Sequence, residues 1–198
     1  MRAVTFKEAS FKVNKISLAF NSDQEHSKHV TCLALEIFDA LRPLHGYGKI
    51  ERQILEIASR LHDIGWSKTS LNKHHKLSRD MILEQDIPGL GNQDRIVCAL
   101  VARYHTKALP NAARHQKFAA LSLKSRNVVE WLAAILRVAD ALDSNHAGII
   151  SELKIQINHS TIVMNLKTNG KCWDEIRRAH RKEDLLVKKA GRTMVYQC

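Results

Sequence analysis

The chain predicts a mostly α-helical fold, with a helical body followed by a small α+β extension at the C-terminus. Three observations carry this. Apolar residues recur at three- and four-residue spacing through most of the first 148 positions. The period changes to two after Gly148. The three prolines and eight glycines fall between the periodic segments rather than inside them. The expected organisation is a lead-in segment over 1–21, a helical domain over 22–148 and a small α+β subdomain over 149–198.

Each element follows in turn. "SDQE" (22–25) reads as a capping box, and the helix it opens carries Val30, Leu33, Ala34, Ile37, Phe38 and Leu41 on one face. Pro43 and "HGYGK" end it. A second helix runs from about Ile50 to Asp63 and stops near Gly65. A short helix at "HHKLSRDMILEQ" ends in "DIPGLGN". Asn92 is the expected cap of the next, with Ile96, Val97, Leu100, Val101 and Tyr104 along one side. "ALPNAARH" reads as a loop and "QKFAALSLK" as a short helix. The most apolar helix, 127–143, belongs at the centre of the core. "SELKIQI" and "TIVMNLKT" alternate as two strands joined at "NHS". A single charged helix, "CWDEIRRAHRKEDLLVKKA", ends at Gly191, and "RTMVYQ" is a last strand.

Composition bounds the function. Hydrophobic residues make up 44% and charged residues 26%, ordinary for a globular protein, and 198 residues can bury a core without staples. The formal charge of +11 favours an anionic partner. Cys32, Cys98, Cys172 and Cys198 lie far apart, with neither zinc-ribbon nor disulfide-framework spacing, so reduced thiols in a cytoplasm are expected. "MRAVTFKEASFKVNK" has no signal-peptide core, and "VVEWLAAILRVADAL" carries Glu130, Arg137 and Asp140, which excludes a membrane span.

The chemistry concentrates in imidazoles and carboxylates, which metals select and which must converge from several helices. His26 opens the first helix, His62 and Asp63 end the second, and Asp140 lies in the apolar helix. His74, His75 and His105 lie between. Each has a plainer reading alone. Asp140 is three residues from Arg137, a helix salt bridge, and Asp143 on its other side is expected nearer solvent. His62 suits a helix C-terminus, His26 and His29 a solvated first turn, and His75 a solvated position beside Lys76. Trp66 reads as packing.

The order His26, His62-Asp63, Asp140 resembles the HD superfamily of metal-dependent phosphohydrolases. The flanking words "DQEHSKHVTCLALEIFDAL", "LHDIGWS", "HHKLS", "IPGL", "ARYHTK" and "LRVADALD" resemble the C-terminal HD-like part of the exopolyphosphatase and guanosine pentaphosphate phosphohydrolase (Ppx/GppA) family, from about residue 20 to the C-terminus. The resemblance implies an HD helical bundle in which His26, His62, Asp63 and Asp140 hold one metal. Asp63 would also bridge to a second, held by His75 and His105; His74 competes with His75, and spacing does not separate them. Mn²⁺, Mg²⁺ or Fe suit such a set, and Zn²⁺ is compatible, as one or two ions. The metal would activate water and neutralise phosphoryl charge, with Asp63 at the reacting centre.

Lys76, Arg103 and Lys107 flank the ligands and offer phosphate donors, with solvated surface as the plainer reading. Arg177, Arg178 and Arg181 suggest a polyanion track on the charged helix, whose default reading is a solvated face. Nothing in the pattern favours nucleic acid. The resemblance also implies a homodimer. The 198 residues hold none of the glycine-rich phosphate loops of the family's actin-like part, so that chemistry is not carried over. Two functions remain. One is a metal-dependent hydrolase of a phosphoanhydride or phosphoester, acting on a nucleotide or a polyphosphate-like substrate. The other is a non-catalytic module that binds polyphosphate or guanosine nucleotides, or regulates a partner.

Overall fold

The computed structural model describes residues 6–20, 23–69 and 73–198. Its described residues are mostly helical, with a small sheet at the C-terminal end. The lead-in segment contains a helix, α1 (Phe6–Phe20), which packs Ala9, Val13 and Ile16 against the body. Ser22 of the expected capping box lies outside the described residues. Asp23 caps α2 (Gln24–Ala40), accepting a hydrogen bond from the His26 amide at 3.0 Å. Pro43 stands inside a single-turn helix, α3 (Arg42–His45), closed by Gly46 in the left-handed region.

Helix α4 (Lys49–Leu61) is followed by a 3₁₀ turn over Ile64–Lys68, then by α5 (His74–Leu83) and α6 (Asn92–Arg103). Gly91, not Asn92, occupies the cap position of α6; the Asn92 side chain instead accepts from Arg95 at 3.0 Å. The short helix expected at 116–124 divides in two. Gln116–Ala119 forms α7, and Ser122 then caps α8 (Leu123–Ala141), so the central helix begins four residues before its expected start.

Helix α8 is buried nearly all round, as the apolar run required. It packs against α2, α4 and α6 on one side and the C-terminal helices on the other. Strands β1 (Ile150–Ile157) and β2 (Thr161–Thr168) form the expected antiparallel hairpin, with a bulge between Ile150 and Glu152. Strand β3 (Thr193–Gln197) joins parallel to β2, Met194 opposite Ile162, giving the order β1-β2-β3.

The charged helix expected as one piece is two: α9 (Trp173–Lys182) and α10 (Asp184–Ala190). The break needs neither glycine nor proline. Arg137 of α8, 2% exposed, takes the Lys182 carbonyl with Nε at 3.2 Å and the Asp184 carboxylate with Nη2 at 2.8 Å. The buried guanidinium thus holds the two residues that flank the break at Glu183. Gly191 ends α10 with φ 63°, as expected.

Cys172 and Cys198 are joined in a disulfide, which ties the start of α9 to the end of β3. The expectation of reduced thiols therefore holds only for Cys32, exposed, and Cys98, buried. Among the described residues, no helix is long and apolar enough to cross a membrane.

Candidate metal centre

Five helix ends meet at one place. His26 lies in the first turn of α2, where the Asp23 cap fixes the backbone, and its ring is 2% exposed. His62 caps the C-terminus of α4, fully buried, and its Nδ1 donates to the Ser59 carbonyl at 2.7 Å, one of the acceptors a helix end leaves unmet. Asp63 follows directly. His105 stands two residues beyond α6 and donates from Nδ1 to the Ala102 carbonyl at 2.6 Å. Asp140 comes from the last turn of α8. His74 begins α5, which is brought close by Gly65: a Cβ there would lie 2.1 Å from the His74 carbonyl oxygen. The Gly65 amide donates to Ser78 Oγ at 2.9 Å across the same contact.

The ligand atoms form two adjoining groups. His26 Nε2 and His62 Nε2 each stand 3.6 Å from Asp140 Oδ1. Asp63 lies between the groups, with Oδ2 3.6 Å from His62 Nε2 and Oδ1 3.4 Å from both His74 Nε2 and His105 Nε2. The last two nitrogens are 3.2 Å apart. His74 rather than His75 therefore reaches Asp63; the His75 ring stands edge-on to His74, 5.4 Å between centroids.

This donor set fits a divalent cation. In His62 and His105 a carbonyl accepts from Nδ1, so in the neutral ring the lone pair is on Nε2, toward the cluster. His26 is anchored in the same way by Asp143 Oδ2 at 2.8 Å. His26 Nε2, His62 Nε2 and Asp63 Oδ1 are buried with no hydrogen-bond partner. Such orphaned groups are costly unless a cation or proton satisfies them.

The electrostatics describe a site that holds either a cation or a proton on its imidazoles. Burial works against charging His26, yet the Asp140 and Asp143 carboxylates outweigh it and raise its pKa to about 10. Asp140 is held well below the carboxylate range despite its burial, by the His26 and His62 imidazoles that face it at 3.6 Å. Asp63 is lowered likewise, against burial, by His62 and His105. His74 is pushed down to about 4 by burial and by the neighbouring His105. The carboxylates are thus ionised and His74 neutral, the states in which each can ligate.

The plainer readings of four residues, Asp140, Asp143, His26 and His29, do not hold. Arg137 does not pair with Asp140; its guanidinium is spent on Asp184 and on the carbonyls of Tyr104, Thr106 and Lys182. Asp143 is not near solvent but 2% exposed, hydrogen-bonded to His26 and to the Gly148 amide, with His29 Nδ1 facing it at 3.1 Å. His26 is likewise no solvated first-turn residue, and His29 turns inward, its Nε2 donating to the Ile150 carbonyl at 2.7 Å.

Asp63, His74, His105 and Asp140 line a cleft of about 700 Å³, with His26 and His62 buried outside its lining. Lys76, Arg103 and Lys107 line it, together with His75 and Trp66, and so do Arg178, Arg181 and Lys182 of α9. The two sets of cations that the sequence separates, beside the ligands and on the charged helix, therefore serve one opening. Arg177 is not among them: it pairs with Asp174 at 2.6 Å on the exposed face of α9. Trp66 is 42% exposed and stacks on His74 at 4.0 Å, so it is a cleft residue as much as a packing one.

Sequence reasoning counted Lys182 only among the basic residues of the charged helix and passed over His146. Lys182 reaches Asp140 from 42 positions away, for which no local pattern exists. His146 holds a left-handed backbone (φ 56°), donates from Nδ1 to Asp23 Oδ2 at 2.6 Å and stacks on His26 at 3.8 Å. Asp143 had a legible signal, the i, i+3 spacing from Asp140.

A family model described as Ppx/GppA phosphatase, domain III, matches residues 10–186. No curated protein matches the chain.

Proposed function

The chain belongs to the Ppx/GppA phosphatase family through its domain III, and from that premise we propose that it is a metal-dependent phosphohydrolase of the HD type, acting on a phosphoanhydride or phosphoester. The observation that carries this reading is the position of Asp63. Its two oxygens face two different nitrogen groups, His62 on one side and His74 with His105 on the other. A carboxylate so placed is suited to bridge two ions.

His26, His62 and Asp140 would hold the first ion, and His74 and His105 the second, with Asp63 common to both. Mn²⁺, Mg²⁺ or Fe fit a mixed nitrogen and oxygen set, and Zn²⁺ is compatible. When bound, such ions lower the pKa of water and neutralise phosphoryl charge. The chain's own residues do the rest. Asp143, Ser59 and Ala102 fix three imidazoles from behind and so set the direction of their lone pairs. Lys76, Arg103, Lys107, Arg178 and Arg181 line the cleft; their charge draws in an anionic substrate and orients its phosphates.

Metal-depleted protein, loaded with Mn²⁺ and measured by elemental analysis, tests the reading. Wild type is expected to retain metal, and His62→Ala and Asp63→Ala to lose it. Hydrolysis across phosphodiesters, phosphomonoesters and nucleotides should follow the metal content. Wild type without metal would remove the proposal. Metal without turnover on any of these would leave the non-catalytic phosphate-binding module as the function.

A further inference from the structure

Lys182, the last residue of α9, places its ammonium beside Asp140 of one ligand group and the backbone of His105 of the other. Nζ donates to the His105 carbonyl at 2.9 Å and lies 3.5 Å from Asp140 Oδ2. The Asp140 carboxylate is thereby divided. Its Oδ1 faces His26 and His62, and its Oδ2 faces the lysine.

This is not a loose surface chain falling on a neighbour. The Lys182 side chain is 25% exposed. Its own carbonyl is held by Arg137 Nε, and Asp184, two residues on, by Nη2 of the same guanidinium. Nη1 of Arg137 donates to the carbonyls of Tyr104 and Thr106, the residues on either side of His105. One buried arginine thus clamps the end of α9 against the segment that carries His105. An ammonium has three donors. Here one goes to the His105 carbonyl, the charge is paired with Asp140 at 3.5 Å, and donor capacity is left for the cleft that Lys182 lines.

We propose that Lys182 is a positioning residue of the metal centre: it keeps Asp140 Oδ2 off the ion, so that Asp140 ligates through Oδ1 alone and room remains for a phosphate oxygen. The proposal rests on the metal-centre reading above. A carboxylate with one oxygen paired to a cation is a one-armed and weaker donor, whereas a carboxylate free of that pairing can chelate with both oxygens. By this account the C-terminal helix is part of the metal centre. It trades metal affinity for access.

The test compares wild type with Lys182→Met, which keeps the aliphatic stem, by three readouts. Calorimetry with Mn²⁺ should show tighter binding in the variant, by about fivefold, the worth of one ion pair. The visible absorption of the Co²⁺-loaded protein should weaken as the coordination number rises. Inorganic phosphate should bind the Mn²⁺-loaded variant about fivefold more weakly than wild type, one charged contact being lost. Should Lys182→Met lose its cooperative melting transition, Lys182→Gln, which keeps a donor for the His105 carbonyl, gives the same readouts. An unaltered cobalt band overturns the role of Lys182, whatever the affinities do, and leaves the metal reading standing. Wild type that takes up neither ion removes the metal reading itself.

Discussion

At the scale of single residues, His26 shows how the site stores charge. Asp143 anchors its Nδ1, and Asp140 faces its Nε2. Together they raise its pKa from the ordinary 6.5 to about 10, against burial. Between pH 7 and 9 the metal-free ring is therefore protonated, and a cation must displace that proton to bind. Apparent Mn²⁺ affinity should rise with pH, by about tenfold per unit, and level off near pH 10. Calorimetry in buffers of different ionisation heat should detect at least one proton released at pH 8, from His26, with His62 raised in the same direction. Affinity that stays flat from pH 7 to 9 would contradict the protonation state given to His26. The anchor makes a second prediction. Asp143→Asn keeps shape but removes the charge behind the ring, and should weaken Mn²⁺ binding by about 10–100-fold while leaving the fold intact. A change of less than about threefold would make Asp143 a purely structural partner of the Gly148 turn.

At the scale of elements, the junction between α4 and α5 matters most. Helix α5 reaches the site because the Gly65 backbone accepts it at a distance no side chain would tolerate. A Cβ on Gly65 would meet the His74 carbonyl oxygen at 2.1 Å and the Ser78 nitrogen at 2.7 Å, both backbone atoms with no flexible end to move aside. Gly65→Ala should cost about 1–3 kcal/mol through overpacking, seen as a melting temperature lower by roughly 3–10 °C. Because the displaced element begins with His74, the variant should also bind Mn²⁺ less tightly. Melting at the wild-type temperature would mean that the two elements can part without loss. The division of the C-terminal helix has the same character. Arg137, which holds the residues on both sides of the break, belongs to α8 and lies 45 positions from the carbonyl it captures.

At the scale of the whole molecule, the net charge of +11 has a local focus. Cations from α5, from the end of α6 and the loop beyond it, and from α9 line one cleft over the ligand groups, while Arg177 sits outside it in a pair with Asp174. Reversing Arg178 and Arg181 to Glu should weaken polyphosphate binding and flatten its salt dependence, since fewer cations then meet the anion. Arg177→Glu should change neither. Equal losses from both variants would mean that the binding reports overall charge rather than the cleft.

The amino-acid sequence by itself determined the fold class, the boundaries of most helices within a few residues, the hairpin at "NHS" and the final strand. These depend on periodicity and on turn residues, which are local. It also named the residue types that gather in the site, since imidazoles and carboxylates set into apolar helices are conspicuous. The tertiary structure alone decided which of two adjacent histidines, His74 or His75, turns toward Asp63. It likewise decided that Arg137 serves Asp184 instead of Asp140, that Asp143 is buried, that Cys172 meets Cys198, and that Lys182 closes on Asp140. The reason is physical: each of these depends on the direction of a side chain and on a partner brought near by packing between distant helices. Spacing along the chain carries no record of either.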